Sequence, residues 1–213
     1  MIKQERAART RQALIAAAAE VFAREGYAAT SLGAVSGRAA VSAGALHFHF
    51  ANKKALAQAI EDEAVGALRR IVEQVCADVA DPLQQLVDSV HLLVEQLGLD
   101  PVLRAGFRLG EDAEAGPDGA LRREWRGWAE DALGRVERAG DLTPGLSVRD
   151  AVTAVLVATA GFQVLGGEDG RWLAPRRVTG FWAVLAPGLA TPQALARLRL
   201  DRPGRRSKGT PSA

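Results

Sequence analysis

An all-α fold is what this sequence predicts, and three observations predict it. Apolar residues recur at three- and four-residue intervals in almost every segment long enough to show a period, which places them on one face of a helix. No segment alternates convincingly with period two, the pattern of a half-buried strand. Residues able to cap a helix stand just ahead of the periodic runs, with Gly or Pro just behind them.

The elements follow in order. Leu14, Ala18, Val21 and Phe22 form a first stripe that stops at Gly26, a C-cap. Thr30-Ser31 can cap a short helix carrying Leu32 and Val35, and Ser42 a second one carrying Leu46. Asn52 can cap a long helix from Lys53 to about Ala77 that connects an N-terminal head to the rest. Asp81-Pro82 stops it, because the residue before a proline is pushed out of the helical region. Leu83, Leu86, Val87, Val90, Val94 and Leu97 make the next stripe, and Leu121, Trp125, Trp128, Ala132, Val136 and Ala139 another. Between them, residues 111–119 read as a loop by composition, as do Asp141 to Gly145 around Pro144. Ser147 can cap a helix from Val148 to about Leu165 that is apolar on nearly all sides. Such a helix is buried all round, and part of its surface is expected to pack against a second subunit. Pro175 takes the first position of a further helix, which Pro187-Gly188 should end. From about Arg202 the Pro, Gly, Ser and basic residues predict a disordered tail. The expected organisation is a head at 1–52, a larger helical domain at 53–201 and a tail at 202–213.

Composition narrows the class. Hydrophobic residues make up 48% of the chain, enough for a sizeable core. The lone Cys76 excludes a disulfide scaffold and a zinc site built on cysteines, and fits a cytoplasmic protein. The N-terminus is too charged for a secretion signal. The longest uncharged stretch, 151–167, is 17 residues, short for a bilayer, so no membrane partner is expected. Net charge is only +2 but unevenly placed. Residues 1–60 carry eight basic side chains against three acidic, and 199–213 five against one, leaving an acidic middle. A basic head on an acidic body suits a head that alone meets a polyanion.

An enzyme is not expected. The three histidines are His47, His49 and His91, and no glycine-rich phosphate loop follows a strand, nor is there a nucleophile elbow. His47 and His49 are two apart, do not share a helix face and have no acid or Cys to complete a metal set. No cofactor is expected.

Residues 10–56 carry the functional reading. A helix ends at Gly26-Tyr27, and a second helix, a tight turn and a third helix follow in under 20 residues. That spacing is a helix-turn-helix, whose second element lies in the major groove of DNA. Leu32, Val35, Ala39, Val41, Leu46 and Phe50 would form its small core, with Ser42, Ala43, Gly44, His47 and His49 outward. Gly44 lets backbone approach DNA closely, and Ser42 and Lys53 can meet phosphates.

Here the chain resembles a family. Gly26-Tyr27-x-x-Thr30-Ser31-Leu32, followed by Val41-Ser42-x-Gly44-x-Leu46-x-Phe48-His49-Phe50-x-x-Lys53-x-x-Leu56, is similar to the TetR-family DNA-binding signature. Gly44-Ala45-Leu46-His47-Phe48-His49-Phe50 resembles the γ-butyrolactone-receptor branch from streptomycetes, as do the runs 101–109 and Glu124-Trp125-Arg126. The resemblance implies a homodimeric repressor that binds pseudo-palindromic operator DNA and leaves it when a small apolar effector binds the C-terminal domain. It implies a DNA-binding set of Thr30, Ser31, Ser42, Ala43, Gly44, His47, Phe48, His49 and Lys53, and a ligand pocket lined by Trp125. Phe107, Val90, Trp128, Thr159 and Phe162 complete the candidate pocket. Thr159 and Gln163 are polar groups one turn apart in an apolar helix, so they need partners, whether a ligand, a backbone carbonyl or a second subunit.

Three positions depart from the family pattern. Ala43 stands where Lys is usual, His47 where Tyr is usual, and Ala40 where the turn usually has Gly. Loss of the lysine removes a donor to phosphate or base. A left-handed Ala40 would cost roughly 1–2 kcal/mol. The effector is left open between a butyrolactone, an antibiotic-like product as in pseudo-receptors, and a drug sensed by an efflux-pump repressor. The rival from another class is a helical dimeric adaptor that has lost DNA binding through Ala40 and Ala43.

Overall fold

The structure, a computed structural model, describes residues 2–110 and 119–201. It holds ten α-helices and one 3₁₀ turn, with no strand among the described residues. The helices are α1 (Ile2–Glu25), α2 (Leu32–Arg38), α3 (Ala43–His49), α4 (Lys53–Asp78), α5 (Pro82–Leu99), α6 (Pro101–Leu109), α7 (Ala120–Arg138), α8 (Val148–Glu168), α9 (Pro175–Leu189) and α10 (Pro192–Arg197). The 3₁₀ turn spans Gly170–Leu173. The all-α expectation is met. The loop expected at 111–119 lies, except for Gly119, outside the described residues, as does the tail expected at 202–213.

Four caps form where the sequence placed them, the side chains of Ser31, Ser42, Asn52 and Ser147 each accepting a hydrogen bond from a backbone N–H in the first turn that follows. Asp81, read in the sequence only as part of a stop, caps α5 in the same way. One stop signal fails. Pro187 lies inside α9, which runs on to Leu189. The proline costs the helix one backbone hydrogen bond, and the helix ends two residues later. The end is set instead by the 141–145 loop, where Thr143 N–H donates to Leu189 O over 2.9 Å and Thr191 N–H to Asp141 O over 2.9 Å.

The apolar side chains sort into two cores. The head core joins Leu14, Ala18 and Phe22 of α1, Val35, Leu46 and Phe50 with Leu56, Ala57 and Ile60 of α4. The body core joins Leu68, Ile71 and Val75 of α4 to α5, α7, α8 and α9. The packing therefore does not break at residue 52, since the first two turns of α4 belong to the head. α6, an element that sequence periodicity left unassigned, enters both cores. Ala105 and Leu109 are buried in the head core, Leu103 and Phe107 in the body core. Gly106 sits at their crossing, where an added Cβ would lie 2.6 Å from the Ala64 Cβ on α4 and 3.0 Å from Leu121 on α7.

α8 departs from all-round burial. Ala151, Val152, Val155, Thr159 and Phe162 form its buried stripe, while Val157 and Val164 are exposed, as is Val184 of α9. One chain covers one face of this apolar helix. By length and composition alone α8 could also cross a membrane.

Candidate nucleic-acid interface and ligand cleft

The turn between α2 and α3 decides how the head presents its surface. Ala40 has φ +54°, in the left-handed region. Its N–H donates to Gly37 O over 3.2 Å and Val41 N–H to Ser36 O over 3.0 Å, the paired bonds of a Schellman cap. The same cap closes α7, where Gly140 N–H donates to Glu137 O and Asp141 N–H to Val136 O, with φ +74° at Gly140. One molecule thus makes this motif twice, once with glycine and once with a strained alanine.

That turn aims α3 outward. Ser42, Ala43, Gly44, His47 and Phe48 are exposed and His49 is half-buried, while Leu46 faces the core. The Phe48 ring stands edge-on to His49, centroids 5.1 Å apart at 85°. Ser31 is exposed at the start of α2.

Two candidates turn the other way. Thr30 is 3% exposed, and its hydroxyl donates to Gly26 O over 2.7 Å, closing the α1–α2 turn. Its side chain has no surface to offer DNA. The Lys53 ammonium donates to the carbonyls of Tyr27 (2.9 Å), Ala28 (3.3 Å) and Thr30 (3.1 Å), and lies 4.4 Å from the centre of the Tyr27 ring. An ammonium has three hydrogens, and here each has a carbonyl, so Lys53 braces the turn.

The cations free to face a polyanion lie on elements beside α3. Arg38 is paired with Glu20 and Arg24 with Glu25. Arg6, Arg9 and Arg11 of α1 and Lys54 of α4 are exposed, and the Arg11 guanidinium sits 5.3 Å from the centre of the Phe50 ring, next to the end of α3. The sequence signal for them was the uneven charge, which located a basic head without ranking its members.

The body holds a cleft of about 120 Å³ between α6, α7 and α8, lined by Phe107, Arg122, Trp125, Arg126, Leu156, Thr159, Ala160 and Gln163. Three of the six ligand candidates meet there, namely Trp125, Phe107 and Thr159. The other three do not line it. Val90 is fully buried among the body core, Phe162 packs edge-on against Phe181 at 5.8 Å, and Trp128 stacks on the far side of Trp125 with centroids 5.0 Å apart. Helical spacing showed which residues share a stripe but not where packing leaves a gap. Gln163, marked in the sequence with Thr159 as a polar group in an apolar helix, also lines the cleft, and Arg122 is a polar wall residue that periodicity could not single out. Arg122 donates to Phe107 O over 3.4 Å and to Gln163 Oε1 over 3.5 Å.

A larger hollow of about 820 Å³ lies between α4 and α7, but it is open to solvent and walled mainly by charged side chains. The Arg69 guanidinium spans it to Glu124, with bonds of 2.6 and 3.0 Å. The Arg69 hydrogen bond holds the Glu124 carboxyl below its usual range and raises Arg69 in turn. The cleft beside Trp125 is less open to solvent than this hollow, and half of its wall is apolar, from Phe107, Trp125, Leu156 and Ala160.

Comparison with known proteins agrees with this geometry. Residues 14–60 match the family of bacterial regulatory proteins described as the tetR family. The chain is 31% identical over 206 residues to the A-factor receptor protein of Streptomyces griseus, covering 93% of this chain and 70% of that one. A crystal structure of a γ-butyrolactone receptor (ArpA-like protein) superposes with a TM-score of 0.79 at 30% identity, over 90% of this chain and 94% of the other. CprB from Streptomyces coelicolor, solved in complex with its biological operator sequence, superposes with a TM-score of 0.77 at 31% identity, over 90% and 94%.

Proposed function

The chain belongs to the tetR family of bacterial regulatory proteins, within its γ-butyrolactone-receptor branch, and from that premise we propose that it is a ligand-responsive, homodimeric transcriptional repressor. The observation that carries the reading is α6, a nine-residue helix with one edge in the core of the helix-turn-helix head and the other in the wall of a cleft.

The head docks α3 in the major groove, with Ser31, Ser42, Ala43, Gly44, His47, Phe48 and His49 toward the DNA and the exposed arginines of α1 on the phosphates. A second copy supplies the other half-site and covers the exposed valines of α8 and α9, which explains an apolar helix with only one buried stripe. Such a protein works on DNA in the cytoplasm and turns nothing over.

The effector is a small apolar molecule of butyrolactone or antibiotic-like type, seated on the face of Trp125. The cleft is smaller than the roughly 300 Å³ at which ligand pockets usually begin, so entry has to move its walls. Phe107 is the wall that belongs to α6. Moving it shifts Ala105 and Leu109 against α1, and Arg108, whose guanidinium donates to Ala23 O over 3.0 Å, goes with them. α4 runs through both cores as well, but α6 joins cleft to head directly. The ligand favours whichever conformer admits it, and operator affinity falls by that difference.

The test is a mobility-shift titration of the full chain on its own upstream DNA at several salt concentrations, repeated with a γ-butyrolactone and with an extract of host antibiotics. A specific complex released by one of them is the expected result. Absence of a specific complex at low salt on any upstream fragment sinks the repressor reading and leaves the adaptor.

A further inference from the structure

The surface that α3 offers to DNA sets the polar Ser42 and His47 beside the apolar Ala43, Gly44 and Phe48. Ala43–His49 contains no Lys or Arg, and its most exposed large side chain is Phe48, at 80%. An aromatic ring left that far out in water is unfavourable for the free protein. The positions one turn before it are Gly44 and Ala45, so on that side of the ring the helix carries at most a methyl group. There no long side chain holds the helix off, and the ring can reach base edges. His49, edge-on at 5.1 Å, buttresses the ring. The exposed cations sit on the flanks, Arg6, Arg9 and Arg11 on α1 and Lys54 on α4. Charge attraction to phosphate and contact with bases are thus divided between different elements.

Guanine in the major groove is read mainly by Arg or Lys, which α3 lacks, whereas the 5-methyl of thymine is the one apolar group displayed there. Resting on the DNA-binding reading above, we propose that Phe48 is a specificity-determining residue that reads thymine methyl groups. Each half-site then carries thymine opposite Phe48.

The experiment uses the full chain and a randomised duplex library to select bound sequences. Each thymine in the selected half-site is then replaced by deoxyuridine, which removes only the methyl. The wild-type protein should lose about fourfold in affinity at one or two thymines, the loss for one apolar carbon. Phe48→Ala should bind the thymine duplex more weakly and no longer distinguish uracil, while Phe48→Leu should keep the distinction. Phe48 is exposed, so these variants should keep the fold, checked by helicity and thermal midpoint. Indifference of the wild type to uracil, or a uracil effect that survives in Phe48→Ala, overturns the methyl contact and leaves DNA binding intact. Failure to select any duplex overturns both.

Discussion

Trp125 and Thr159 are bonded across the α7–α8 contact, the indole Nε1–H donating to the Thr159 hydroxyl over 3.1 Å. The hydroxyl has Val155 O and Leu156 O within 3.0 Å for its own hydrogen. The polar atom of the tryptophan is satisfied inside the protein, so only its ring face is left for a ligand. Thr159→Val would strand a buried N–H, and stability should fall by about 1–3 kcal/mol. Thr159→Ser keeps the acceptor and should fall much less. Urea unfolding of the two variants checks this, and equal midpoints would refute it.

Ala40 in its left-handed cap invites the reverse experiment. Ala40→Gly removes the Cβ clash but adds freedom to the unfolded chain, so the net gain should be up to about 1 kcal/mol. A thermal midpoint no higher than wild type would show the turn to be unstrained. Gly140→Ala, at the matching position of α7, should destabilise by a similar amount.

Lys53 separates a structural role from a DNA role. Lys53→Met leaves three carbonyls without their donor and should cost about 1–3 kcal/mol of stability. The salt dependence of DNA binding should keep its slope. A slope reduced by about one unit would place Lys53 on a phosphate instead.

Gly106→Ala forces a methyl between Ala64 and Leu121. Overpacking of this kind costs about 1–3 kcal/mol. Because Gly106 lies on the helix shared by both cores, operator affinity should change as well, which Gly127→Ala, at a position with open space on α7, should not do.

The Arg69–Glu124 bridge predicts an acid-side effect. The Glu124 carboxyl is held below its unfolded value, so its contribution is present above that value, about 4.3. It is lost as pH falls further, through the lowered folded value. The Arg69 side chain is largely in solvent and that of Glu124 about a third exposed, so the contribution is small and fades with salt. Stability of Glu124→Gln and wild type, compared between pH 7 and pH 3, should differ slightly at neutrality and converge in acid. A difference that grows toward acid would contradict it.

Much of the fold was legible because helices are specified locally. Ser31, Ser42, Asn52, Asp81 and Ser147 act on N–H groups within the next three residues, and apolar stripes such as Leu83 to Leu97 need only helical spacing. α6 was not legible, since Leu103 and Phe107 serve one core and Ala105 and Leu109 the other, and nine residues divided between two faces show no single stripe. Ser42, Ala43, Gly44 and His47 were read correctly as outward, while His49 is half-buried. Thr30 and Lys53 were not, because their partners are carbonyls of a turn whose path depends on how α1 packs against α4.

The sequence by itself determined where α2, α3, α4, α8 and α9 start, that the head is basic, and that residues 42–49 form the outward helix of a helix-turn-helix. These rest on contacts within one or two turns and on net charge, which do not depend on the rest of the chain. Only the tertiary structure decided that α6 joins head to cleft, that Trp125, Phe107 and Thr159 meet while Val90 and Phe162 do not, and that Lys53 points inward. Each of these depends on which remote segments pack together, as Arg108 does with Ala23 and Trp125 with Thr159, and periodicity along one helix carries no record of its neighbours.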